Sequence, residues 1–150
     1  MSSRREAREL AVQFLYQHDL NPDGVEEALA SFWGLQTPAR KRNGFTEELV
    51  RGIIGHIQPV DTKIKSYAEN WKFNRISVVD RSILRLAIYE LLFRDDIPPN
   101  VSINEALELA KKYSTEDSSR FINGILDRVK EDLHRPLRTA LKRDGRATQK

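Results

Sequence analysis

Apolar residues recur along this chain at the spacing of helices, with no run of alternating β-branched residues long enough for a convincing strand. Ala7, Leu10, Ala11, Phe14 and Leu15 repeat every three or four positions and predict one buried face of a first helix. The Asn-Pro-Asp-Gly run from Asn21 to Gly24 breaks the chain. Val25, Ala28, Leu29, Phe32 and Trp33 then mark a short second helix, and residues Gly34 to Gly44 read as the longest loop. Leu49, Val50, Ile53 and Ile54 predict a third helix over about Thr46 to His56, Pro59 punctuates it, and Val60 to Trp71 reads as a weaker fourth.

The segment Val78 to Phe93 is the most apolar. Ile83, Leu84, Leu86, Ala87, Ile88, Leu91 and Leu92 cover much of its circumference, so it is expected at the centre of the fold. Ser77 is its expected cap, with Asp80 favoured by the helix dipole. Pro98-Pro99 stops that helix, and Ser102 with Glu105 matches a capping box that would open the next. The buried face of that helix is Ile103, Ala106, Leu107 and Ala110, and its two alanines would let a neighbour approach closely. Ile122, Ile125, Leu126 and Val129 predict a last core helix over about Asp117 to Leu133. Gly124 inside it costs about 1 kcal/mol relative to alanine, a cost that close helix packing would explain. The expected fold is all-α with about seven helices and a seam near Pro59, dividing residues 1–58 from 59–133.

Composition narrows the function classes. The chain has 150 residues, 39% hydrophobic and 31% charged, as a globular protein does. It shows no membrane-length apolar run and no leader pattern, so a cytoplasmic location is the expectation. Without cysteine, disulfides and thiolate metal sites are excluded. His18, His56 and His134 are far apart and outside any metal-ligand spacing. No phosphate loop, dinucleotide fingerprint or nucleophile elbow occurs. These readings point to a protein that is not an enzyme and needs no cofactor or metal.

The charge distribution fits a polyanion partner and fits equally a solubilising end with no dedicated partner. From His134 onward six basic residues face one acid, while the preceding 133 residues carry 19 basic and 21 acidic groups. Residues 134–150 therefore read as a basic, flexible tail. At the other end, Arg5 and Tyr16 are 11 residues apart, about 20° around a helix and roughly 16 Å along it. Arg4 and Arg8 extend the stripe, read as lying off the core face. Guanidinium groups pair with phosphates and a tyrosine ring stacks on unpaired bases, so the spacing suits single-stranded RNA. The same residues also fit a solvated helix face neutralised by Glu6 and Glu9.

Three stretches shift that balance. RREARELAVQFLYQ, RSILRLAIYEL and SINEALELAKKYSTEDSSRFINGILDRV together resemble the NusB family of transcription antitermination factors over about Ser3 to Asp132. The resemblance implies two small helical subdomains, no enzymatic activity, and binding of boxA single-stranded RNA together with the ribosomal protein NusE. It also implies assembly with RNA polymerase and other Nus factors to promote readthrough of ribosomal RNA operons. Family members occur as monomers and as homodimers that occlude the RNA surface. Matched RNA positions are Arg4, Arg5, Arg8, Tyr16, Asp80, Arg85, Asp117, Ser118, Arg120 and Phe121, with Phe121 the ring that would stack a base. Asp80 stands where the family often has glutamate. For NusE the second subdomain is implied, and Tyr89, Glu90 and Arg94 are nominated as exposed positions around the central helix. The rival reading is a helical nucleic-acid-binding adaptor or DNA-binding regulator without boxA specificity, although no helix presents a row of base-reading side chains.

Overall fold

A computed structural model describes residues 3–22, 24–36, 44–68 and 73–140. Among these are seven α-helices: α1 (Arg4–Leu20), α2 (Val25–Gly34), α3 (Gly44–Gly55), α4 (Ile57–Ala68), α5 (Val78–Phe93), α6 (Pro99–Tyr113) and α7 (Glu116–Asp132). A 3-10 turn at Phe73–Arg75 precedes α5, and no strand occurs among the described residues. The all-α expectation holds. The loop triplet Arg40-Lys41-Arg42, Trp71 and the last ten residues lie outside the described part.

Helix α5 is the axis of the fold, as its apolar circumference predicts. It packs against α1, α3, α4, α6 and α7, and Ile83, Leu84 and Ile88 are fully enclosed. Helix α1 is buried over more than one face. Packed on α2, α3 and α5, it encloses Arg8, Glu9 and Val12 as well as the expected Leu10, Phe14 and Leu15. One continuous cluster of buried side chains runs from α1 through α7. No helix among the described residues is long and apolar enough to cross a membrane.

Helix starts follow capping chemistry, though not always at the expected residue. Ser77 Oγ accepts from the Asp80 N–H at 3.1 Å and caps α5 as anticipated. Helix α7 is capped by Thr115, whose Oγ1 accepts from the Ser118 N–H at 3.1 Å. The Ser102/Glu105 capping box is not used, because α6 already begins at Pro99. A proline at the first helical position loses nothing, since that N–H has no intrahelical acceptor. Ser102 is thereby carried one turn inside the helix and buried. Pro59 likewise sits in the first turn of α4 and does not punctuate the chain there; His56 separates α3 from α4.

Two further expectations are corrected. Gly124 faces open space, so close packing does not explain it. The tightly packed glycine is Gly52, where a β-carbon would overlap the Tyr89 ring. The basic tail does not begin at His134 as a free arm. Arg135 donates from Nη1 to the Ile97 carbonyl and from Nη2 to the Leu91 carbonyl, each at 3.1 Å. The Leu137 carbonyl accepts from the Asn100 N–H at 2.8 Å, which ties this segment across the α5–α6 turn.

Candidate nucleic-acid interface

The exposed stripe on α1 forms from Arg4, Arg5 and Tyr16. The Arg4 guanidinium lies 4.3 Å over the Phe45 ring. Arg5 donates to both carboxylate oxygens of Glu105 at 3.1 and 2.8 Å, yet its side chain stays 62% exposed. Its hydrogen bonds and charge attraction with Glu105 raise the Arg5 pKa and hold Glu105 below the usual carboxylate range. Tyr16 is 39% exposed.

Arg8 does not belong to that stripe. Its side chain is 3% exposed and forms a two-pronged pair with Glu90, itself 1% exposed, at 2.8 and 2.9 Å. Ser102 Oγ donates to the same carboxylate at 2.7 Å. The expectation failed because α1 is covered on its flank by α5, which brings Glu90 against Arg8. A guanidinium already saturated by a buried carboxylate has no fork left for a phosphate.

Asp80 and Arg85 are also enclosed. Asp80 is 5% exposed, and its Oδ1 accepts from Ser114 Oγ at 2.5 Å, joining the start of α5 to the end of α6. Arg85 donates to both oxygens of Asp61 at 2.8 and 2.9 Å and to Asp19 at 3.1 Å. Arg81 donates to the other Asp19 oxygen at 2.5 Å. Burial alone would raise Asp19, but hydrogen bonds and charge from Arg81 and Arg85 outweigh it and hold the carboxyl below its ordinary value. These groups join α1, α4 and α5 and leave Arg85 no outward-facing fork.

At the start of α7 the nominated residues do reach the surface. Asp117 and Arg120 are both exposed and pair with each other at 2.6 Å. Ser118 gives its N–H to the Thr115 cap. Phe121 is half-buried and packs against the core edge. A groove of about 470 Å³ runs here between α6 and α7, lined by Lys111, Ser114, Ser119, Arg120 and Asn123 among others.

The nominated partner residues are not exposed. Tyr89 and Glu90 are buried in α5, the first against Gly52 and the second against Arg8. Arg94 is mostly covered and donates to both oxygens of Asp96 at 2.9 and 2.8 Å. The pairing with Asp96, aided by Glu48, raises its pKa further. An apolar central helix has almost no outer face, which is why positions chosen from it lie inside.

A second groove, of about 400 Å³, contains Tyr16 and was not foreseen. Val12, Gln13, Gln17, Val79 and Tyr113 complete it. The sequence did carry a trace of it, since Gln13, Tyr16 and Gln17 follow helical i, i+3, i+4 spacing with none of them in the core pattern. The contribution of Tyr113 depends on how α6 ends beside α1, which no local pattern reports. Tyr113 of this groove is the chain neighbour of Ser114, which donates to Asp80 and lines the groove at the start of α7 together with Arg120.

Comparison with known proteins bears on the family of the chain. The NusB family model matches residues 5–131. The transcription antitermination protein NusB of Methylacidiphilum infernorum is 48% identical over 136 residues, covering 90% of this chain and 95% of that protein. The Geobacter sulfurreducens protein of the same name is 48% identical over 134 residues, covering 89% and 97%. Among solved structures, T. maritima NusB superposes with a TM-score of 0.76 at 40% identity, covering 87% of this chain and 92% of that one. A crystal structure of antitermination factors NusB and NusE in complex with double-stranded RNA matches with a TM-score of 0.76 at 26% identity, covering 87% and 97%. By family model, by close relatives and by fold, the chain belongs to the NusB family of transcription antitermination proteins.

Proposed function

We propose that this protein binds boxA single-stranded RNA jointly with the ribosomal protein NusE, and so promotes readthrough and processive transcription of ribosomal RNA operons with RNA polymerase and other Nus factors. The observation that carries this reading is that exposed Tyr16 shares a groove with Tyr113, whose chain neighbour Ser114 lines a second groove with Arg120. Arg4, Arg5, Tyr16, Asp117, Ser118 and Arg120 are the residues assigned to RNA, with Phe121 supporting them from the core edge. Arg8, Asp80 and Arg85 are assigned instead to holding the helices that carry this surface. The two subdomains, about 1–58 and about 59–133, whose boundary falls in the first turn of α4, are taken to meet along α1 and α5. A relative solved with NusE and RNA supports the choice of partners.

The test is a titration of labelled boxA-like RNA with the full chain, alone and with cognate NusE. Weak binding alone, strengthened by NusE and reduced for a scrambled RNA, is the expected result. Equal affinity for boxA and scrambled RNA under both conditions would exclude the reading.

A further inference from the structure

Arg5 reaches solvent with its charge already matched. Its Nε and Nη2 donate to the two carboxylate oxygens of Glu105 at 3.1 and 2.8 Å, and the guanidinium stays 62% exposed while Glu105 is 16% exposed. The hydrogen bond from Arg5, with its charge added, outweighs burial and holds the Glu105 carboxyl below its ordinary value, so the acid is ionised at neutral pH. A phosphate meeting the open edge of Arg5 therefore faces an ion pair with no net charge. A second guanidinium also reaches this carboxylate. Arg8 gives Nε and Nη2 to Glu90, and its remaining nitrogen, Nη1, lies 4.0 Å from Glu105 Oε1. That oxygen is the one that accepts from Arg5 Nε, so it serves an exposed cation and lies within ion-pair distance of a buried one.

We propose that Glu105 is a built-in competitor for RNA phosphate, occupying Arg5 in the free protein and passing to Arg8 when a phosphate takes its place. The inference rests on the RNA-binding function proposed above and adds what restrains affinity at that surface. A guanidinium binds carboxylate and phosphate through the same fork, so the two compete for Arg5 directly. An ion pair with one exposed partner is weak enough for a phosphate to displace. A mostly covered carboxylate left without a partner would resist that displacement. Arg8 removes the obstacle, because it offers Glu105 a second cation and, at 3% exposure, is itself out of reach of RNA. Glu90 stays on Arg8 throughout, since the exchange uses only Nη1. The Arg5–Glu105 pair also joins α1 to α6, as a purely structural staple would. The sign of its effect on RNA binding separates the two roles.

The experiment titrates labelled boxA-like and scrambled RNA with the full chain and cognate NusE over a series of salt concentrations. Glu105→Gln is expected to tighten both RNAs by the same factor, about two- to fivefold at low salt, as release from an exposed ion pair allows. The slope of log affinity against log salt should steepen by up to about 0.7, the contribution of one phosphate contact on a single strand. Arg5→Ala with Glu105→Gln should show no such gain over Arg5→Ala alone. Glu108→Gln, which removes an acid one turn along α6 that pairs with Lys111, should change affinity less. Glu105→Asp keeps the charge on a shorter arm and should fall between wild type and Glu105→Gln; it serves as the test if the amide variant melts early. Unchanged affinity in Glu105→Gln makes the pair a structural staple and overturns the competitor. Weaker binding means that Glu105 orients Arg5 for RNA, which overturns it too, as does a gain that survives Arg5→Ala. Wild type without preference for boxA would instead overturn the function proposed above, and the competitor with it.

Discussion

Arg8 gives up its hydration inside the molecule, and Glu90, whose carboxylate also accepts from Ser102, replaces it. Removing one member of such a pair strands the other, which costs about 3–5 kcal/mol. Arg8→Ala should therefore lower the urea midpoint sharply, while Arg5→Ala, with its guanidinium exposed, should leave it nearly unchanged and reduce RNA affinity in a salt-dependent way. Equal effects of the two on stability would contradict this division. The two arginines were indistinguishable in the sequence, being three residues apart on one helix. What separates them is Glu90, 82 positions beyond Arg8. Asp19 gives a second prediction at this scale. Its folded pKa lies below the ordinary 3.8, so its stabilising contribution is complete above that value and is lost as pH falls through the lower folded one. Thermal melts from roughly pH 5 to pH 2 should show an acid loss that Asp19→Asn, already without the charge, makes shallower. An unchanged acid limb would remove Asp19 from the account.

Among the helices, two glycines make opposite predictions. Gly124 lies mid-helix facing open space, so Gly124→Ala should stabilise by about 1 kcal/mol from helix propensity alone. Gly52→Ala should destabilise by about 1–3 kcal/mol through overpacking. There the new methyl meets Tyr89, which His56 and Phe93 flank in an aromatic stack. Calorimetry on both variants settles the signs, and like signs would contradict the packing described. Sequence alone pointed at Gly124, because a glycine inside an apolar repeat is visible and the ring opposite another glycine is not. Helix identities were legible for the same reason: apolar periodicity is local, and the span Val78–Phe93 matched the structure throughout. Starts were less legible, since Ser102 and Pro99 offer competing entries into α6 and a proline at the first position wins without needing a cap.

Taken whole, the molecule has one apolar cluster spanning α1 to α7, so thermal unfolding should be a single cooperative transition by both far- and near-ultraviolet dichroism. Two resolved transitions would mean that the halves fold separately. The segment after α7 also divides. Truncation after Leu133 removes Arg135 and Leu137 and should destabilise the α5–α6 turn, whereas truncation after Ala140 leaves those two contacts in place. The shorter deletion is expected to lower affinity for boxA and scrambled RNA by one factor that vanishes at high salt; a changed ratio would mean that this segment reads sequence. Its docked start was illegible beforehand because charge runs look alike whether solvated or pinned to carbonyls. The central claim, that this chain acts on transcription through boxA, is tested most directly by readthrough. A terminator placed downstream of boxA is transcribed by RNA polymerase with NusE and the other Nus factors, with and without this protein. The account predicts that adding the protein raises readthrough on the boxA template and leaves a scrambled-boxA template unchanged. Equal readthrough on the two templates with the protein present would contradict it.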